Sequence, residues 1–243
     1  MAGFLRRHLQ AYGAGRRLRN LSGAMSVLLA VVAGHAMAEP VTVAALGDSL
    51  TQGYGLPVDQ GLVPQLESWL VARGLDVTII NAGVSGDTSA GGLARVGWTL
   101  GAGVDAMIVE LGANDMLRGL DPALTKANLA GILDAARMQG VEVLLVRVPA
   151  ADNYGADYKA EFDSAYSDLA ASHDVPLYPD FFAALRDGDA GTARQDFMQP
   201  DGIHPDAQGV ARIVDDLGPA VAALVGAADS DPDGDSGSDS GDD

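Results

Sequence analysis

The chain contains no cysteine in 243 residues. That excludes disulfide bridges, thiolate metal sites, a cysteine nucleophile and the acylated cysteine of a lipoprotein. Aromatic residues are scarce, at 5%, so a core has to be built from Val, Leu, Ile and Ala. Basic residues are also few: 15 Lys and Arg stand against 33 Asp and Glu, for a formal net charge of −18. So acidic a chain repels phosphate backbones, which proteins bind by neutralising them with Lys and Arg, and nucleic acid is excluded as a partner. One segment lacks acid altogether. Residues 1–38 hold no Asp or Glu but carry Arg6, Arg7, Arg16, Arg17 and Arg19, and removing these five arginines takes the net charge from −18 to −23.

The two ends read as separable from the rest. The arginine-rich start precedes an apolar run at 24–34, and His35-Ala36-Met37-Ala38 places small residues at the two positions a signal peptidase reads. Residues 1–38 are expected to be an export signal cleaved after Ala38, leaving the mature protein periplasmic or secreted with no stable membrane anchor. A retained anchor is the competing reading, but the apolar run falls short of the roughly 20 residues that span a bilayer. Residues 229–243 consist of Asp, Ser, Gly and one Pro. With no apolar side chain to bury, they are expected to form a disordered acidic tail. The alternation of Asp is reminiscent of calcium ligation, yet the spacing and terminal Glu of an EF-hand loop are missing.

Residues 39–228 then form one domain. Short apolar runs at 41–46, 77–80, 106–111, 141–148 and 175–178 alternate with amphipathic stretches at 63–73, 91–100, 122–139, 158–172 and 206–225. Continuous apolar strands separated by helices indicate a parallel sheet covered on both faces, a doubly wound α/β fold of five strands. Ligands of such folds bind outside the carboxyl ends of the strands. Three polar, glycine-bearing segments lie there: Gly47-Asp48-Ser49, residues 83–88 and residues 112–115.

Histidine narrows the chemistry by elimination. Of four, His8 and His35 leave with the signal, and His173 closes a helix, where a cation suits the exposed carbonyls. His204 remains, in Asp201-Gly202-Ile203-His204-Pro205. An Asp three positions ahead can turn back to accept from Nδ1–H and leave Nε2 as a general base. A plain helix-entry turn capped by Asp201 is the alternative. Ser49, after the first strand, supplies a nucleophile that needs such a base. An ordinary N-cap serine is its alternative, and the common G-x-S-x-G elbow is absent. Acyl transfer also needs oxyanion donors, and Asn114 and the Gly86 N–H stand in the other two loops. Asp87 and Thr88 are expected to cap the following helix.

Gly47-Asp48-Ser49-Leu50, residues 81–88, residues 112–115 and residues 201–205 together resemble the ordered signature of the SGNH (GDSL) hydrolases. The similarity is closest to the bacterial thioesterase I/lysophospholipase L1 and arylesterase branch. It extends to Gly91-Gly92-Leu93-Ala94-Arg95, Val109-Glu110-Leu111, Met116-Leu117-Arg118-Gly119 and Asn153-Tyr154-Gly155, and covers roughly residues 41–225. The resemblance implies a flavodoxin-like fold, Ser49 as nucleophile, His204 as base and Asp201 as orienting acid. It implies an oxyanion hole of the Ser49 N–H, the Gly86 N–H and the Asn114 side chain. The expected substrates are carboxylic esters, thioesters or lysophospholipids, cleaved through an acyl-serine with no metal or organic cofactor. A carbohydrate O-acetylesterase with the same triad and a non-catalytic exported binding protein are the alternatives. The stretch Ala150-Ala151-Asp152 is slightly longer than the family's approach to its Asn-Tyr-Gly segment, which bears on the shape of the acyl pocket.

Overall fold

A computed structural model describes residues 39–101, 103–186 and 195–230. The expected signal (1–38) and residues 231–243 of the expected tail lie outside the described residues.

Five parallel strands form one sheet: β1 (Val41–Gly47), β2 (Val77–Gly83), β3 (Ala106–Glu110), β4 (Glu142–Val146) and β5 (Leu177–Tyr178), in the order β2-β1-β3-β4-β5. This is the flavodoxin-like order, in which the chain winds one way from β1 to β2 and the other way from β3 onward. The loops after β1 and β3 therefore diverge from neighbouring strands and open a crevice between them. Side chains alternate between two dry layers. On one, Val43 and Ala45 of β1, Ile108 of β3 and Leu144 and Val146 of β4 pack against α2 (Leu62–Val71) and α7 (Ala207–Ser230). On the other, Ala44 and Leu46, Met107 and Val109, and Val143 and Leu145 pack against α3 (Ser89–Leu100), α5 (Pro122–Arg137) and α6 (Ala156–His173). Burial on both faces is what made the strands read as unbroken apolar runs.

Differences from the expected elements have local causes. β5 covers only Leu177–Tyr178 because Pro176 has no N–H to give the ladder, although its carbonyl still accepts from Leu145 N–H. β2 continues beyond Ile80 to Gly83, since Asn81, Ala82 and Gly83 pair with Ala45, Leu46 and Gly47 despite their polar and small side chains. α7 runs past Val225 to Ser230, so Asp229 and Ser230 of the expected tail are its last residues. Two short helices at the strand ends, α1 (Ser49–Gln52) and α4 (Ala113–Leu117), carry no amphipathic signal of their own.

Candidate active site

The nucleophile candidate sits where β1 turns straight into α1. Asp48 is the N-cap, its Oδ1 accepting from Leu50 N–H at 3.0 Å. Ser49 thus opens a helix rather than lying on a loose turn, and an N–H in a first helical turn has no intrahelical acceptor. Only glycine fits at the strand ends on either side. A Cβ on Gly47 would lie 2.0 Å from Thr51 Oγ1, and one on Gly83 would lie 2.4 Å from Gln52 N. The close approach of β2 to α1 holds Ser49 against the crevice.

His204 comes from the far end of the chain, in the turn before α7. Asp201 organises that turn with both carboxylate oxygens. Its Oδ1 accepts from Ile203 N–H at 2.9 Å and from His204 N–H at 3.0 Å, while Oδ2 lies 2.7 Å from His204 Nδ1. The opposite ring nitrogen, Nε2, lies 2.9 Å from Ser49 Oγ. With the ring proton on Nδ1, the imidazole donates to Asp201 and accepts from Ser49. The backbone N–H bonds are the first cause holding the Asp201 carboxyl down at about 2, with the His204 ring adding to them. Asp201 is therefore an anion throughout the neutral pH range. The Asp caps a turn, as the plain alternative had it, and orients a histidine as well.

The second and third loops meet the first through named contacts. Asn114, on α4, donates from Nδ2 to Asp48 Oδ2 at 3.0 Å, which leaves its other N–H unspent. Gly86 has φ +83, a conformation that suits glycine. Its carbonyl accepts from Arg118 Nη2 at 2.7 Å, and Ser85 Oγ donates to Gln52 Oε1 at 2.7 Å. Asp115 is buried, accepting from Ser89 N–H at 2.8 Å and Ser89 Oγ at 2.5 Å. The expected capping of α3 is made by Thr88 alone, which accepts from Gly91 N–H. Asp87 instead pairs with Arg95, whose Nε lies 2.7 Å away and whose Nη1 and Nη2 donate to Ala82 O and Gly47 O. One guanidinium thereby ties the ends of β1 and β2 to the turn that carries Gly86.

Sequence reasoning missed two supporting residues. The Tyr54 ring lies 4.7 Å from the His204 imidazole, tilted by 38°. Gln199 donates from Nε2 to Tyr54 O at 2.8 Å and to Pro205 O at 2.9 Å, tying the histidine turn to the chain after α1. Neither carries a periodic or motif signal. His173 closes α6, with Nδ1 3.1 Å from Leu169 O, in the helix-end role expected of it. Among the described residues, no group of three or more His, Asp or Glu side chains is arranged to hold a metal ion.

A serine, a histidine and a carboxylate in sequence at the carboxyl edge of a flavodoxin-like sheet define a hydrolase of the SGNH type. Comparison with known proteins agrees. Residues 45–212 match the model of the GDSL-like lipase/acylhydrolase family. The esterase TesA of Pseudomonas aeruginosa is 38% identical over 202 residues, covering 83% of this chain and 98% of that protein. The thioesterase 1/protease 1/lysophospholipase L1 of Escherichia coli is 34% identical over 185 residues, covering 76% and 85%. Among solved structures, AlinE4, an SGNH-hydrolase family esterase, superposes with a TM-score of 0.63 at 42% identity, covering 76% of this chain and 96% of that one. The chain belongs to the GDSL-like lipase/acylhydrolase family and is, with it, a carboxylic-ester hydrolase.

Proposed function

We propose that the protein is an exported serine esterase whose catalytic residues are Ser49, His204 and Asp201. The observation that carries this reading is the continuous chain Asp201 Oδ2–His204 Nδ1 at 2.7 Å and His204 Nε2–Ser49 Oγ at 2.9 Å. Nε2 takes the Ser49 proton as Oγ attacks the ester carbonyl, and Asp201 stabilises the imidazolium that forms. Negative charge then moves to the carbonyl oxygen. The Ser49 N–H, the Gly86 N–H and the free N–H of Asn114 are the donors that receive it. Collapse of this intermediate passes the proton from Nε2 to the leaving alkoxide or thiolate and leaves an acyl-serine. Water, deprotonated by the same nitrogen, attacks the acyl carbon; the bond to Ser49 Oγ breaks, the proton on Nε2 returns to Oγ, and the acid leaves.

The substrates are esters of apolar acyl groups, with thioesters and lysophospholipids in the same reach, as the names of the relatives indicate for those proteins. Support comes from the segments that carry the site residues. Val84 follows β2, Leu117 and Leu120 follow Asn114, and Ile203 precedes His204, and all four are exposed apolar side chains. Exposed apolar side chains on the segments that bear the site residues gain by covering a hydrocarbon chain. Export rests on the composition of residues 1–38. Among the described residues, no helix is long and apolar enough to cross a membrane.

The test is hydrolysis of p-nitrophenyl esters of graded chain length by wild type and Ser49→Ala. Turnover of butyryl to octanoyl esters that vanishes in a folded Ser49→Ala protein is expected. Turnover of acetyl esters alone would favour the O-acetylesterase alternative, and near-wild-type rates in Ser49→Ala would remove the nucleophile.

A further inference from the structure

Beneath the nucleophile lie two carboxyl groups that the reaction described above does not use. The register pairs Gly47 of β1 with Glu110 of β3, so Glu110 ends its strand beside the peptide leading into Asp48 and Ser49. Both side chains are out of solvent, Asp48 at 0% and Glu110 at 1% exposure. Asp48 is satisfied at both oxygens, by Leu50 N–H and by Asn114 Nδ2. Glu110 is not. Its Oε2 lies 2.8 Å from Thr51 Oγ1, and Oε1 has no hydrogen-bond partner.

As a carboxylate, Glu110 would bury a charge with one bare oxygen beside a second buried carboxylate. Desolvation and repulsion both oppose that. In the ionised form the Thr51 hydroxyl donates to Oε2; in the neutral acid that hydroxyl turns to accept Oε2–H instead, and only a carbonyl lone pair stays unmet, a smaller cost. The electrostatics point the same way. Burial first and the Asp48 charge second push Glu110 well above the usual carboxylate range, and they outweigh the opposing pull of the Thr51 hydroxyl and of the Asp48 and Thr51 N–H groups. Burial raises Asp48 too, but Leu50 N–H, the Asn114 amide and His204 hold it at about 6. The remaining groups facing the pair are Asp115, bound by Ser89 and Thr125, and Tyr166, whose hydroxyl donates to Leu111 O at 2.7 Å. Arg95 contributes a cation, through its contact with Gly47 O.

The state of Asp48 decides what Asn114 presents. An ionised Asp48 accepts only from Nδ2, because the amide oxygen turned toward it would face another acceptor. The amide is then locked with nitrogen at the site. A protonated Asp48 could donate to the amide oxygen instead, and the flipped amide would no longer hold its nitrogen in place. We propose that Asp48 and Glu110 hold a single proton between them, on Glu110, and that the Asp48 carboxylate so preserved is the positioning residue that aims the Asn114 amide at the oxyanion. Glu110 contributes by keeping the proton.

The kinetic arms of the test rest on the esterase reading; the spectroscopic arm does not. Infrared spectra of the purified protein in D2O at neutral pH are expected to show the carbonyl band of a dry, protonated carboxylic acid that is missing in Glu110→Gln. No such band would overturn the shared proton whether or not the protein cleaves esters. Asp48→Asn is expected to lower kcat by about 10²-fold with KM held, as for the loss of one oxyanion donor. That loss should largely disappear when Asn114 is already alanine, because the two act through one group. Fully additive losses would overturn the positioning role. Should Asp48→Asn not fold, Asn114→Ala carries the same information. Its kcat should lack the acid-side fall that Asp48 protonation causes in wild type, and an unchanged profile would overturn the link. Failure of the esterase reading would show separately, as absence of wild-type turnover.

Discussion

Replacing Asp201 by asparagine keeps its size and removes its charge, and the turn it organises dictates the outcome. Oδ1 accepts from two backbone N–H groups, of Ile203 and His204. In Asp201→Asn the amide oxygen must keep that position, because an NH2 group there would face two donors. The amide nitrogen is left opposite His204 Nδ1, where it donates. The imidazole must then accept at Nδ1 and carry its proton on Nε2, so it cannot take the proton of Ser49. Flipping the amide to restore the useful tautomer forfeits two backbone hydrogen bonds, about 1 kcal/mol each in a turn this exposed. Losing the carboxylate from the imidazolium forfeits about 2 kcal/mol more, at the low end for a charged hydrogen bond because the Asp201 side chain is 36% exposed. Together, about 4 kcal/mol corresponds to roughly a 10³-fold fall in kcat. Asp201→Ala differs in kind. It frees the imidazole to choose its tautomer with water and strips the turn of its acceptor. The alanine variant should therefore be the more active and the less stable of the two. Steady-state rates on a p-nitrophenyl ester and melting temperatures for both variants test this. An asparagine variant more active than the alanine variant, or within tenfold of wild type, would refute the tautomer argument.

Asn114→Ala is expected to lower kcat by about 10²–10³-fold with little change in KM, since its donor acts once charge reaches the carbonyl oxygen; a rise in KM at constant kcat would make it a ground-state contact. Gly83→Ala should cut activity while leaving most secondary structure in place, because the added Cβ would press on Gln52 N at 2.4 Å and Asp48 O at 2.9 Å and displace α1 with its serine; circular dichroism and kcat on one preparation check it, and an active alanine variant would show that β2 does not set the position of α1. The Asp201 carboxyl is depressed from 3.8 to about 2, so its native contacts contribute stability that is full above the unfolded value and is lost as pH falls through about 2. Denaturant unfolding of wild type against Asp201→Asn should show the wild-type advantage shrinking between pH 5 and pH 2, and a constant difference would contradict the sign.

Much of this protein is legible without coordinates. Apolar strands and glycine-bearing loops are local patterns, and the period of the burial on each element is set by backbone geometry alone. Elimination among four histidines left His204 as the candidate base, and its place on the turn after the first strand made Ser49 the candidate nucleophile. The spacing Asp201-x-x-His204 is itself a short-range arrangement, and a tight turn brings those groups together whatever the rest of the chain does. The α1 and α4 helices were not legible, being too short to show a period. Nor was the role of Asp87, because its partner Arg95 lies eight residues on and competes with the helix cap for the same carboxylate. Contacts between distant segments belong to the tertiary structure alone. Ser49 and His204 are separated by 155 positions and meet because β1 and α7 pack on one face of the sheet. Tyr54 against His204, Gln199 across Tyr54 and Pro205, and the buried Asp48–Glu110 pair depend on the register of β1 with β3 and on the close packing of the loops. A side chain's charge state follows from what surrounds it in space, and no pattern along the chain encodes a neighbour 62 residues away.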